Sequence, residues 1–414
     1  MARRSQRRPA ILLVVLVLAI AAAGLWLWRA RNIRPPPGLA LTPVSFASLP
    51  GWTGSDPRPA LSAFRRSCAV LTNESPTHAL GGKGYAGTAA DWMGVCAAAP
   101  GVAAGADAAR RYFETQFVPV MVAAGADADA LFTGYYEPEL HASRRRHGTY
   151  ATPIYGLPDD LVTADLGLFR NNLMGEHVTG RVVVHALVPY FTRAQIDADG
   201  LPHAPVFLYA DDPVQVFFLH IQGSGRARLE NGTLVRLAYA GQNGRRYTPV
   251  GRTLIAQGAI DRAGMSMQAI RDWLRTHPGA ARSAMESDQS FVFFRTAPLG
   301  DPSLGSPGSE GVALTPEASL AIDEQVHPLG APFFVAASAP DADPTRPARP
   351  LDRLFVAQDT GGAIVGAARA DVFWGFGHDA ESIAGRMKTT GRLYVLLPKA
   401  VAARLPARTR LGSQ

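Results

Sequence analysis

The first 34 residues hold no aspartate or glutamate, while seven arginines (3, 4, 7, 8, 29, 31 and 34) fall among them. The formal net charge of +7 is therefore local, since the rest of the chain has 41 − 7 = 34 basic residues against 34 acidic ones. A balanced body lacks the electrostatic footprint of a DNA- or RNA-binding protein, so no nucleic-acid partner is expected. Lysine is scarce, with only Lys83, Lys388 and Lys399. The 10 histidines are scattered without an HExxH motif or paired-ligand spacing, which argues against a zinc site. Gly223-Ser224-Gly225-Arg226 has no phosphate-loop lysine, and Ser224 is not in a GxSxG elbow. Phosphate-loop and serine-hydrolase chemistry are therefore unsupported. No internal repeat or heptad is present.

Cysteine is almost missing too: Cys68 and Cys96 are the only thiols. Their meaning depends on the compartment. Arg3, Arg4, Arg7 and Arg8 precede an uncharged run from Ala10 to Trp28. That run is about long enough to span a hydrocarbon core, and the arginines would hold its N-terminus in the cytoplasm. Ala21-Ala22-Ala23 offers a signal-peptide cleavage site. The apolar run continues to Trp26 and Trp28, where an interfacial belt would lie, and this favours an uncleaved anchor. Either way the body is exported. In an exported domain an even cysteine pair suits a disulfide; the alternative is two independent buried thiols.

With 47% hydrophobic and 18% charged residues over 414 positions, the body is globular and large enough for two or three domains. Residues 31–37 form a proline tether. Helical patterns follow at Pro59–Leu71, Ala89–Ala98 and Ala103–Phe117, with Ala108, Tyr112, Phe113 and Phe117 at helical spacing as core. From Leu131 the texture turns to short β-rich runs: 131–140, 153–156, Arg181–Val188, Val206–Tyr209, Val214–Ile221 and Leu234–Ala240. Asn243-Gly244 reads as a hairpin turn. A helical pair at Ser266–Thr276 and Ala280–Glu286 interrupts before strands resume at Ser290–Arg295 and run on to Arg392–Leu397. This texture is mainly β with N-terminal helices, and implies an antiparallel barrel or sandwich. His220, among apolar neighbours, reads as a hydrogen-bonded core residue.

The chemistry concentrates in Leu354–Gly377, LFVAQDTGGAIVGAARADVFWGFG. A buried strand runs into Asp359 and two glycines, and a second acid, Asp371, is set against Val372, Phe373 and Trp374. A carboxyl group pressed against aromatics is poorly solvated, so its pKa rises, as a general acid at neutral pH requires. The alternative is a pair of turn residues beside glycine. Thr133, Gly134 and Tyr135 in one loop, and Gln222, Gly223 and Ser224 in another, put aromatics, amides and hydroxyls on glycine-loosened backbone, as sugar-binding sites do. Core packing competes as the reading of Tyr135 and Tyr136.

Several motifs occur in a telling order: GYYEP (134–138), DDPVQVFFLHIQGSGR (211–226), YAGQNGRRY (239–247), GRTLIAQGAI (251–260), MSMQAIRDWL (265–274), SFVFF (290–294) and AQDTGGAI with the later WGFG. In this the chain resembles the membrane-bound lytic murein transglycosylase A family, over roughly residues 130 to 400. The resemblance implies a discontinuous double-psi β-barrel domain (45–135 with 290–402) and an inserted smaller β-barrel-like domain (136–289), with a substrate groove between them. Residues 1–37 would be anchor and tether, and 403–414 a tail. It implies cleavage of the β-1,4 bond between N-acetylmuramic acid and N-acetylglucosamine in peptidoglycan, leaving a 1,6-anhydromuramic acid end, with no metal or other cofactor. Partners would be glycan strands, the membrane through the N-terminal segment, and cell-wall synthesis or division proteins. Because the sugar's C6 hydroxyl is the nucleophile, one carboxyl suffices. Asp371 matches the family's catalytic acid and Asp359 the residue that supports it. Thr133, Gly134, Tyr135, Gln222, Gly223 and Ser224 would contact glycan. Ala370 stands where the family carries an aromatic, and the lipid-attachment cysteine of some relatives is missing. Two other functions remain open at this point: an inverting hydrolase using both aspartates, and a non-catalytic peptidoglycan-binding or wall-loosening module.

Overall fold

The computed structural model describes residues 38–405 and 409–411. The expected anchor and tether (1–37) and part of the expected tail lie outside these residues. Among the described residues no helix is long and apolar enough to cross a membrane.

Three helices lead: α1 (Arg58–Leu71), α2 (Ala89–Ala98) and α3 (Ala106–Gln116). Pro59 sits at the start of α1, where its missing N–H costs nothing. The Asp91 carboxylate accepts from the Thr88 N–H at 2.9 Å and caps α2. Their inner faces meet in an aromatic cluster of Phe64, Trp92, Tyr112, Phe113 and Phe117. Cys68 of α1 and Cys96 of α2 are joined by a disulfide.

Six strands then close a barrel: β1 (Ala130–Glu137), β2 (Ser319–Ile322), β3 (Pro332–Ala336), β4 (Arg353–Thr360), β5 (Arg369–Phe376) and β6 (Lys388–Pro398). Hydrogen bonding runs β3-β4-β2-β5-β1-β6, and β6 pairs back to β3, so these six leave no free edge. The β4–β2 and β5–β1 pairs are parallel and the others antiparallel. Strand Phe117–Ala124 pairs outside β6 and hands the ladder on to Leu39–Pro43 and Thr409–Leu411. The chain is thus mainly β with helices, and the barrel is drawn from two separate stretches of sequence.

Between those stretches lies a second six-stranded sheet, in the order Val292–Pro298, Leu234–Gln242, Gly225–Leu229, Glu139–Ser143, Val206–Ala210 and Thr152–Tyr155. Val292–Pro298, expected to open the barrel's return, is paired instead with Leu234–Gln242. Helices α4 (Arg193–Asp199), α5 (Pro213–Gln222), α6 (Val250–Ala256), α7 (Met267–Thr276) and α8 (Pro278–Glu286) accompany this sheet, and α9 (Gly377–Arg386) follows β5. A small three-stranded sheet (Val162–Asp165, His177–Val183, Ala186–Pro189) stands apart.

Two expectations fail here. Val214–Ile221, expected as a strand, is helix α5, capped by Asp212, whose Oδ1 accepts from the Val214 N–H at 2.8 Å. Val216 and Leu219 face the second sheet, whereas Val214, Phe217 and Phe218 face α6, α7 and α8. A helix buried on both sides shows no polar stripe. Asn243-Gly244 is not a hairpin turn: the buried Asn243 amide donates to the Phe191 and Gln289 carbonyls at 2.8 and 2.9 Å. The hairpin before Leu234 turns at Asn231-Gly232, with Gly232 at φ +82°.

Candidate active site

Strand alternation puts Thr133 and Tyr135 on one face of β1, and parallel pairing sets them opposite Asp371 and Phe373 of β5. The Thr133 hydroxyl donates to Asp371 Oδ1. Arg369, two residues earlier and hence on the same face, donates from Nη2 to Thr133 Oγ1 at 2.7 Å. Burial is the largest influence on the Asp371 carboxyl and pushes its pKa up. The Arg369 charge and the Thr133 hydrogen bond pull it down, the Asp359 charge pushes it up, and the net direction is up.

Asp359 ends β4 in a different setting. Its Oδ1 accepts from the Ser309 N–H at 3.0 Å, the Ser309 hydroxyl at 3.1 Å and the Thr360 N–H at 2.9 Å. Its Oδ2 accepts from the Tyr135 hydroxyl at 3.0 Å. Burial again raises its pKa against the pull of these four donors. The Tyr135 hydroxyl is itself pushed well above the usual phenol range by burial, so it stays a donor, and its ring lies 5.2 Å from that of Phe373. Both acids keep part of their surface open.

The other expected site residues take different places. A Cβ on Gly134 would come within 2.7 Å of the Trp374 indole and 3.0 Å of Ala384 on α9, so Gly134 makes room for packing. Gln222, the last residue of α5, accepts the Tyr136 N–H on Oε1 at 3.0 Å and ties the helix to β1. Gly223 follows it at φ +79°, a left-handed cap that favours glycine. Ser224, half-buried, leads from that cap into strand Gly225–Leu229. Thr133, Tyr135, Asp359 and Asp371 are thus brought together, while the Gln222–Ser224 corner joins them through the backbone of Tyr136.

Sequence reasoning missed the cluster that holds this junction. Glu137, fully buried at the end of β1, accepts from Arg226 Nε at 3.0 Å and Arg236 Nη1 at 3.1 Å. Both arginines also donate to the Leu304 carbonyl, at 3.0 and 2.9 Å, and the Arg226 guanidinium lies 3.4 Å from the Phe376 ring centroid. Removing Glu137 would leave the two buried guanidinium groups without their anion, at a cost of about 3–5 kcal/mol. The available signal was an acid in GYYEP and an arginine in QGSGR, each embedded in an apolar strand. Arg271 of α7 adds a second tie, to the Tyr136 hydroxyl at 2.9 Å and to Glu381 of α9. His220 is buried as expected, its Nδ1 2.9 Å from Arg193 Nη1.

A cavity of about 720 Å³ opens between the barrel and α5, α6 and α7, with Thr133, Met387 and Lys388 on the barrel side and Phe217, Ile255 and Ile270 opposite. Thr133, the donor to Asp371, is on its wall.

Comparison with known proteins agrees with this architecture. Residues 131–295 match the model of the MltA specific insert domain, and residues 318–397 match that of the 3D domain. Membrane-bound lytic murein transglycosylase A of Vibrio cholerae is 31% identical over 272 residues, which span 65% of this chain and 65% of that relative. The crystal structure of membrane-bound lytic murein transglycosylase from Agrobacterium tumefaciens superposes with a TM-score of 0.77 at 32% identity, covering 88% of this chain and 99% of that one. That of E. coli MltA with bound chitohexaose gives 0.60 at 26% identity, covering 82% and 90%. The closed barrel, the cavity with Thr133 on its wall and the half-buried acid that Thr133 holds, taken with these relatives, define the class: this is an enzyme. The chain belongs to the membrane-bound lytic murein transglycosylase A family.

Proposed function

We propose that the protein is a lytic transglycosylase that cuts the β-1,4 bond between N-acetylmuramic acid and N-acetylglucosamine in peptidoglycan. The observation that carries this reading is the unequal dress of the two acids. Burial raises the pKa of both carboxyls, but four donors favour the charged form of Asp359, whereas Asp371 has one hydroxyl donor and is the freer of the two to carry a proton. Asp371 protonates the leaving O4 as the C1–O4 bond breaks. The C6 hydroxyl of the same muramyl ring then forms the C1–O6 bond and returns its proton to Asp371. The product ends in 1,6-anhydromuramic acid and no water is consumed. Asp359 acts by position: its charge raises the pKa of Asp371, and it holds Tyr135 against Phe373.

In this reading the barrel is of the double-psi kind, residues 138–298 form the inserted domain, and the cavity between them is the substrate groove. The relative solved with chitohexaose supports a glycan as the occupant. The relatives named membrane-bound, and the arginine-flanked apolar run at 10–28, support attachment to the inner membrane with the body on its periplasmic face.

Purified sacculi test the assignment. Asp371→Asn should lower release of anhydromuropeptides by about 10²–10⁴-fold, the usual worth of a general acid, with the thermal melt unchanged. Wild-type turnover by the variant would refute the role of Asp371. Hydrolysis would instead leave wild-type products about 18 Da heavier, with a reducing end, and would point to the two-carboxylate route.

A further inference from the structure

The cavity is apolar over most of its wall, but its charged lining has one sign: Arg252, Arg262, Arg386 and Lys388, with no aspartate or glutamate. Outside the first 34 residues acids and bases are equal in number, so composition does not explain this. Arg386 is committed to structure, its Nε donating to the Ser382 carbonyl at 3.0 Å and its Nη2 to the Asp341 and Ala342 carbonyls. The other three are exposed and form no ion pair among the described residues. Lys388 opens β6 directly opposite Thr133 of β1, whose hydroxyl holds Asp371. Thr133 is in turn paired with Asp371, so this cation stands two strand spacings, roughly 9.5 Å along the wall, from the acid.

We infer that the cavity accepts a carboxylate carried by the substrate's muramyl side, with Lys388, Arg252 and Arg262 as the residues that select for it. This rests on the proposed function and sharpens its substrate. Each muramyl ring bears a lactyl ether ending in a carboxyl, either free or amide-linked to a peptide that carries carboxylates of its own; glucosamine bears none. A neutral polymer of N-acetylglucosamine fills the same space with rings but leaves the cations unmatched. Cations near solvent contribute selectivity more than raw affinity, and their effect is screened by salt.

The test compares binding of the full-length protein to chitohexaose, to a peptide-free muramyl glycan oligomer and to a peptide-bearing one, over a series of salt concentrations. The wild type should prefer an anionic oligomer over chitohexaose by about tenfold or more at low salt, and lose that preference at high salt. Arg252→Gln/Arg262→Gln/Lys388→Gln should abolish the preference, and the charge-keeping Arg252→Lys/Arg262→Lys/Lys388→Arg should retain it. A preference for both anionic oligomers identifies the lactyl side, and a preference for the peptide-bearing one alone identifies the stem peptide. Equal affinity of the wild type for neutral and anionic oligomers overturns the inference, as does a preference that survives both salt and the glutamine variant. Should sacculi yield no fragments while the preference holds, the proposed reaction falls and the carboxylate site stands.

Discussion

Asp359 and Asp371 are paired with the same residue, Ala321, on the strand that runs between them. Their backbones are therefore about two strand spacings, roughly 9.5 Å, apart on one level of the barrel wall. The Asp359 charge pushes the Asp371 pKa up, and only Asp359 is surrounded by donors. Register places the pair and the donor sets divide their roles.

The Arg369 charge is the largest influence lowering the Asp371 pKa. Arg369→Gln should therefore move that pKa further up. The catalytic acid must be protonated, so the alkaline limb of kcat/KM should shift to higher pH. A pH profile of anhydromuropeptide release checks the sign; a limb that stays put or moves down means that another group carries the proton.

Glu310 is outside the proposed chemistry but titrates near neutrality: burial pushes its pKa up to about 7, against the hydrogen bond from the Ser67 hydroxyl at 2.6 Å. A carboxyl whose folded pKa is raised stabilises the fold most below its unfolded pKa, and that stability is lost as pH rises through the folded value. Glu310→Gln should leave stability unchanged near pH 4 and raise it by roughly 2–3 kcal/mol near pH 8. Urea melts at the two pH values decide this. A parallel loss at both would show that Glu310 holds the fold as a carboxylate. Its neighbour Ser309 donates to Asp359, so activity of the variant at neutral pH is a useful second readout.

The disulfide spans 28 residues and pins α1 to α2 against the barrel. Cys68→Ser/Cys96→Ser should lower unfolding free energy by about 2–4 kcal/mol, chiefly by loosening the unfolded chain. Because neither sulfur touches the site described above, KM on sacculi should hold in conditions where the variant is folded. An unchanged urea midpoint would count against the bridge as a stabiliser.

Much of this arrangement was legible in the residues. The run Leu354–Gly377 reads as strand, acid, glycines, strand and acid, and it folds as β4 and β5 with both acids at the wall. The helices α1, α2, α7 and α8 follow their apolar spacing. Helix α5 did not, because Val216, Phe217, Phe218 and Leu219 are buried on opposite sides and erase the period; the better signal was Asp212-Pro213, a cap and a first-turn proline. Asn243-Gly244 has a hairpin-turn signature but turns no hairpin, while Asn231-Gly232, with the same signature, does. Only tertiary contacts show that Asn243 latches the Phe191 and Gln289 carbonyls. The unequal donors around Asp359 and Asp371 were beyond reach for a similar reason: Ser309 lies 50 residues from its partner, and no local pattern announces such a bond.

The passage from barrel to second sheet has a mechanical meaning. β1 ends at Glu137 and strand Glu139–Ser143 begins after Pro138 alone. The joint is one proline long, its φ fixed by the ring, with its acid held between Arg226 and Arg236 and a second tie through Arg271. At this crossing the two sheets are fastened by chain and ion pair together, so the cavity's two walls share one anchor.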